Sequence, residues 1–242
     1  MREVKVSVTF MLLAVAFCVC LIVSNLMEIK TVSALGLTIT AGVIVFPVSY
    51  ILNDCIVEVY GFAKARLVIW LGFGMNLLVS LLLQLGIWLP GAESWHGQEA
   101  MELIFGAVPR IFLASFTAFL CGSMVNAYVM SRMKHSRSRS SASEPEASAP
   151  SATSGFSARA IVSSLWGEGV DSLIFFPIAF GGVLAWREIG VLIVTQTLLK
   201  TLYEILILPV TLRAVGFLRR REGESQAPEE PRSYKWWRIS EL

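Results

Sequence analysis

Lys200 and Glu204 stand four residues apart in an otherwise apolar run, so on a helix they share one face, with Gln196 a further turn back. A second run carries Trp166-Gly167-Glu168-Gly169-Val170-Asp171-Ser172, and a third carries Asn53 and Asp54 shortly before Glu58. Ser24 and Asn25 close a fourth; Asn76 and Gln84 punctuate a fifth. Carboxylates, an amine and amides among apolar residues can hold an ion, move a proton or accept the N–H groups of a polar solute. Two buried aspartates can also share a proton, the requirement of an aspartyl protease. Asp54 and Asp171 are the pair available, but Gly167 to Asp171 has one residue too many for GxGD, and Asn53 rather than a tyrosine precedes Asp54.

The elements that must position these groups are membrane helices. Of 242 residues, 55% are hydrophobic and 16% charged, against roughly a quarter charged in a soluble domain; mean hydropathy is +0.66. Six stretches reach the length of about 20 residues that a span requires: 5–27, 37–57, 64–89, 108–131, 159–185 and 189–217. The first reads as an uncleaved span, because its apolar core exceeds a signal peptide's and lacks a small-x-small end. Lys and Arg favour cytoplasmic loops. Arg2, Lys5, Lys64, Arg66, Arg132, Lys134, Arg137, Arg139, Arg159, Arg213 and Arg219 to Arg221 fall on one side, against Lys30, Arg110 and Arg187 on the other. This predicts an all-α polytopic protein with both termini cytoplasmic. Residues 1–217 are expected to form the six-helix transmembrane domain, with a disordered Ser-rich linker at 134–157, and 218–242 a tail whose Trp236-Trp237 could rest on the interface. The outer loop from Trp95 to Phe105 suits a short helix. Cys18, Cys20, Cys55 and Cys121 show no metal spacing and read as small buried hydrophobes.

An ionised group at the bilayer centre costs roughly 2.5–3.5 kcal/mol on insertion scales, so such groups usually face the bundle interior. Pro47 predicts a break of the second span near Phe46. Gly167, Gly169, Pro177 and Gly181-Gly182 predict an interrupted fifth span near the midplane, the construction by which many transporters build substrate sites. Plainer readings exist. Lys200 can neutralise Glu204 or lock to Asp171. Glu58, Lys64 and Arg66 can be interfacial charges that set topology, and lone amides commonly bridge helices. A bare anchor has no need of five ionisable groups on three spans. No GxSx motif or membrane histidine supports a serine protease, so a small-molecule transporter, not an enzyme, is the reading that remains.

The order of residues then matches a known pattern. Ser24-Asn25 ends span one; Phe46-Pro47, Asp54, Gly61 and Ala65-Arg66 follow, then Arg110-Ile111 and Ser115. Ser163-Ser164, Gly167, Asp171-Ser172, Phe175-Phe176 and Lys200 complete it. Over residues 5–217 the chain resembles the queuosine precursor transporters, also called the vitamin uptake transporter family. The resemblance implies uptake, across the bacterial inner membrane, of 7-cyano-7-deazaguanine, 7-aminomethyl-7-deazaguanine or queuine for tRNA modification. It implies a small-molecule substrate and a lipid bilayer as partners, with no cofactor, metal or nucleic acid and a homo-oligomer left open. The adjacent N–H donors of such a base suit one carboxylate, Asp171 first and Glu168 second. Lys200, Asn25 or Asn53 could donate to its carbonyl, with Asp54 nearby. Phe46, Tyr50, Trp166 or Phe175 could cover its face. Glu204 and Gln196 are left for coupling or helix pairing. The convergence of these spans on one polar chamber is the premise of the carrier reading. With no GxxxxGK[ST] loop, the protein is expected to act alone or as the substrate-binding subunit of an energy-coupling-factor importer. Ala14 and Cys18 match poorly the small residues by which such subunits dock.

Overall fold

A computed structural model describes residues 7–34, 37–140 and 152–222. Helix α1 is Val8–Met27, followed by the hairpin strands β1 Thr31–Ala34 and β2 Leu37–Thr40 and a 3-10 turn Ala41–Ile44. Then come α2 Phe46–Tyr60, α3 Phe62–Trp88, α4 Gln98–Phe105, α5 Val108–Ser140, α6 Ala152–Phe180 and α7 Trp186–Glu222. Among the described residues, four helical stretches are long and apolar enough to cross a membrane: Val8–Met27, Phe62–Trp88, Gln98–Asn126 (running through α4 into α5) and Trp186–Glu222. Their outward residues are apolar too: Met11, Leu12, Val15 and Val19 on α1, and Leu77, Leu78, Leu81 and Leu82 on α3, are exposed. Water would disfavour that surface and hydrocarbon would cover it.

The chain forms two compact units: residues 1–31, 40–112 and 206–242 make the first, and residues 32–39 and 113–205 the second. In the first, Ser7 caps α1 by accepting the Phe10 amide at 3.1 Å. Phe17 and Leu21 of α1 meet Gly72 of α3 so closely that a Cβ there would lie 3.1–3.2 Å from their carbons. Cys55, Ile56, Val59 and Tyr60 of α2 and Ala65, Val68, Ile69 and Phe73 of α3 are buried as well. Gly61, at φ 87°, makes the corner between α2 and α3, a conformation that disfavours any side chain. In the second unit Phe175, Phe176 and Phe180 form a ring cluster with centroids 5.1–6.4 Å apart. The Thr195 hydroxyl reaches the Thr38 carbonyl of the hairpin at 3.3 Å.

Three expectations change. The stretch 37–57 is not one helix: its first part is β2 and the 3-10 turn, and α2 begins at Phe46 with Pro47 in its first turn. β-branched Thr38, Ile39 and Thr40 suit a strand, and proline suits a first turn, where its missing N–H is no loss. The break near Phe46 is therefore present, but at a helix start. The fifth span is not interrupted at Gly167 or Gly169; α6 runs through both and past Pro177 to Phe180, and turns only at Gly181-Gly182. Gly167 serves close helix packing instead, whereas a Cβ on Gly169 would meet nothing within 4 Å. Arg66, grouped above with interfacial charges, is 2% exposed, because it lies on the same face of α3 as Ile69, Phe73, Asn76 and Ser80. Lys64 and Glu58 do face outward in part: Lys64 Nζ stands 5.5–5.7 Å from the Tyr60 and Phe10 ring centroids, and exposed Glu58 pairs with Arg219 at 2.9 Å.

The segment 134–157 is helical up to Ser140 and again from Ala152; its middle lies outside the described residues, as do Trp236 and Trp237. The expected short helix near Trp95 is α4. Cys18 and Cys55 are buried free thiols.

Candidate substrate site

Helices α6 and α7 are antiparallel neighbours joined by residues 181–185. Their facing positions pair in opposite chain directions, which puts Asp171 and Glu168 opposite Lys200, and Ser164 opposite Glu204. The Lys200 ammonium lies 2.7 Å from Asp171 Oδ2 and 3.3 Å from Glu168 Oε2. The three side chains are 8%, 22% and 15% exposed in that order. One turn along, Ser164 Oγ and Glu204 Oε1 are 2.7 Å apart. In the other direction Gln196 and Ser172 are buried, and among the described residues Ser172 Oγ has no hydrogen-bond partner.

Lys200 is shared by two carboxylates. The closer contact is charge-assisted and short.

Helix α5 fixes the position of α6. A Cβ on Gly122 would lie 2.8 Å from the Gly167 carbonyl oxygen and 3.1 Å from the Asp171 Cβ; a Cβ on Gly167 would lie 2.9 Å from the Asn126 Cβ. Two backbones approach where two glycines face each other, and Asp171 sits one turn beyond the contact.

Of the residues singled out in the sequence, the second unit brings together Asp171, Glu168, Lys200, Glu204 and Gln196. Phe175 is buried one turn after Asp171 within its ring cluster. Trp166 is not part of this face: it is 60% exposed and points outward from α6. Asn53, Asp54 and Phe46 are half-buried on α2 in the first unit; the Tyr50 side chain lies outside the described set. Asn25 is also in the first unit, 2% exposed, and among the described residues neither of its amide atoms has a hydrogen-bond partner.

Sequence reasoning missed Glu28, 2% exposed after the last turn of α1, whose carboxylate crowds Gly42 of the 3-10 turn. Its i, i+3 and i, i+4 spacing from Asn25 and Ser24 was the available signal. Ser164, one turn before Glu168, was missed as a partner for Glu204.

Helices long and apolar enough to cross a membrane, with a buried cluster of opposite charges between α6 and α7, define an α-helical membrane protein. Residues 40–214, well over half of the chain, match the family described as "Putative vitamin uptake transporter". The chain belongs to that family. It is 36% identical over 111 residues to the "Probable queuosine precursor transporter" of Bacillus subtilis (strain 168), which covers 46% of this chain and 48% of that protein. It is 30% identical over 165 residues to the "Queuosine precursor transporter" of Escherichia coli (strain K12), covering 68% and 63%. A Haemophilus influenzae relative, "Probable queuosine precursor transporter", is 26% identical over 141 residues. These alignments span about half to five-eighths of the relatives' lengths. No solved structure matches the chain.

Proposed function

We propose that this protein is a stand-alone carrier that imports queuosine precursors, 7-deazapurines such as 7-cyano-7-deazaguanine, 7-aminomethyl-7-deazaguanine or queuine, across the bacterial inner membrane. Family membership and the names of three relatives support the substrate class. The observation that carries the reading is the shared ion pair: Asp171 and Glu168 on one buried ammonium. The base's ring N–H and amino N–H replace Lys200 on Asp171, two donors for one carboxylate. Glu168 retains the ammonium, which turns to the base carbonyl. A buried site of this kind rejects analogues that lack either N–H, because its own polar atoms would then be left unpaired.

Six crossings with both termini cytoplasmic accompany this reading. The lysine and arginine asymmetry of the loops supports the orientation. Helix α2 has 15 residues, about 22 Å at 1.5 Å each, so the buried turn at Ala41 to Val43 helps complete the second crossing. Irregular backbone is tolerated at depth when buried in protein. Ala14 and Cys18 of α1 are themselves buried, which leaves them no face for a transducing subunit and favours a carrier that works alone.

Complementation tests the function. The protein is expressed in a bacterium that can neither make nor import the precursors, each is supplied in turn, and queuosine is measured in tRNA. Restoration by at least one 7-deazaguanine is expected; none from any, with the protein in the membrane, overturns the reading.

A further inference from the structure

Ser172 is 0% exposed, one residue beyond Asp171, and among the described residues its hydroxyl has no hydrogen-bond partner. A serine or threonine inside a helix commonly returns its O–H to the carbonyl four residues back. Thr197 and Thr201 of α7 do so toward Ile193 and Thr197, at 2.7 and 2.9 Å, and Thr211 toward Ile207 at 3.3 Å. Ser172 does not, so its hydroxyl is held at full burial with neither donor nor acceptor used. Burial without a partner is costly, and alanine would fill the same space without that cost.

The place of this hydroxyl follows from the stagger of α6 and α7. Glu204 faces Ser164, and Lys200 faces Glu168. One turn further along α6 and one turn back along α7, Ser172 comes opposite Gln196, itself 1% exposed. On the next turn of α6 stand Phe175 and Phe176, both buried, with ring centroids 5.1 Å apart. The seam thus passes from ionised groups through a neutral polar step to aromatic rings, and Ser172 belongs to the neutral step. A ligand that satisfies it offers a donor and an acceptor side by side there.

We propose that Ser172 binds the pyrrole edge of the substrate and makes this carrier selective for the free base over its nucleoside. The inference rests on the substrate reading above, in which Asp171 takes the ring N–H and amino group and Lys200 the carbonyl. What remains of the polar rim of a 7-deazaguanine is the pyrrole N–H and the pyrimidine nitrogen beside it, a donor and an acceptor flanking one ring-fusion carbon. A single hydroxyl is complementary to that pair: it donates its O–H to the pyrimidine nitrogen and accepts the pyrrole N–H. The amino group lies between this edge and the ring N–H, so the rim meets Asp171 and then Ser172 in their order along α6. The edge is common to the three 7-deazapurines named above, so Ser172 sets the class rather than the choice among them. In a nucleoside the sugar replaces the pyrrole hydrogen. That leaves Ser172 no N–H to accept and adds bulk where the site is closed.

Equilibrium binding of labelled 7-aminomethyl-7-deazaguanine to the purified protein, with unlabelled competitors, tests the proposal. Against wild type, 7-deazaguanine competes. An analogue with C–H in place of the pyrimidine nitrogen, and one methylated on the pyrrole nitrogen, each compete at least roughly three- to tenfold less well, the worth of a neutral hydrogen bond. The nucleoside 7-deazaguanosine does not compete. Ser172→Ala binds the labelled base more weakly by a similar factor and no longer distinguishes 7-deazaguanine from the C–H analogue. Without ligand it melts at or above the wild-type temperature, because the buried hydroxyl is gone. Wild-type affinity in Ser172→Ala, or the same preference for 7-deazaguanine over the C–H analogue in both proteins, overturns the proposal and leaves the substrate reading standing. Equal competition against wild type by 7-deazaguanosine or by either analogue overturns it as well, even if Ser172→Ala does not fold. Binding of no 7-deazaguanine by wild type ends the substrate reading and the proposal with it.

Discussion

Lys200 Nζ is 2.7 Å from Asp171 and 3.3 Å from Glu168, so the two carboxylates are unequal partners of one ammonium. The arrangement makes the variants unequal as well. In Asp171→Asn, Lys200 keeps Glu168 as counter-ion, and thermal stability should change by no more than about 1 kcal/mol. Uptake should nonetheless be abolished, because an amide cannot accept two N–H donors as a carboxylate does. Lys200→Met removes the buried cation that two carboxylates share and should cost about 3–5 kcal/mol, the range for breaking a buried pair from one side. Detergent-solubilised melting and uptake assays measure both. An Asp171→Asn protein as active as wild type removes Asp171 from the site.

The α5–α6 contact predicts opposite outcomes for two glycines on one helix turn. At Gly167 a Cβ meets Asn126 at 2.9 Å and the Gly122 carbonyl oxygen at 3.1 Å, whereas at Gly169 nothing lies within 4 Å. Gly167→Ala must push α6 from α5, costing about 1–3 kcal/mol and lowering uptake by moving Asp171. Gly169→Ala should stabilise the helix by up to about 1 kcal/mol and leave uptake near wild type. Equal melting temperatures for the two variants would mean that this helix contact is absent.

Glu58 and Arg66 carry opposite charges eight positions apart and have different environments. The Glu58–Arg219 pair is more than half exposed, so Glu58→Ala should change stability by less than about 1 kcal/mol. Arg66 is 2% exposed and its guanidinium lies 5.9 Å from the Phe62 ring centroid. Arg66→Ala removes a buried cation and its packing together, and a loss of several kcal/mol is expected. Membrane yield and melting temperature separate the two cases.

How much of this was legible in the sequence depends on whether one helix or two decides the outcome. The α6–α7 cluster was readable, because Lys200 and Glu204 share a face by spacing alone and Asp171 was an available partner. Which partner Lys200 takes was not, since that depends on the stagger of two helices: Lys200 faces Asp171, and Glu204 faces Ser164. Gly167 and Gly169 look alike in sequence and were read as a break, yet one is a contact with α5 and the other faces open space. Only the neighbouring helix distinguishes them. Arg66 was misread because its charge outweighed its periodicity; its register with Ile69, Phe73 and Asn76 already indicated burial. The hairpin at 31–40 was hidden by its own apolarity, since Val32, Leu37 and Ile39 read as the start of a span.

Asn25 provides a test of function against stability. Both amide atoms are buried without a hydrogen-bond partner among the described residues, and such groups cost about 1–3 kcal/mol each to leave unsatisfied. A residue retained for packing alone would be better served by Leu, which has nearly the same volume and nothing to satisfy. Asn25→Leu should therefore melt at or above the wild-type temperature. If the amide meets a polar ligand during transport, as proposed for this family member, the same variant loses most of its uptake. Thermal shift with added 7-aminomethyl-7-deazaguanine links the two: wild type gains stability from the compound and Asn25→Leu gains little. A variant that is less stable than wild type and yet transports normally would assign Asn25 to the architecture of α1 rather than to the substrate.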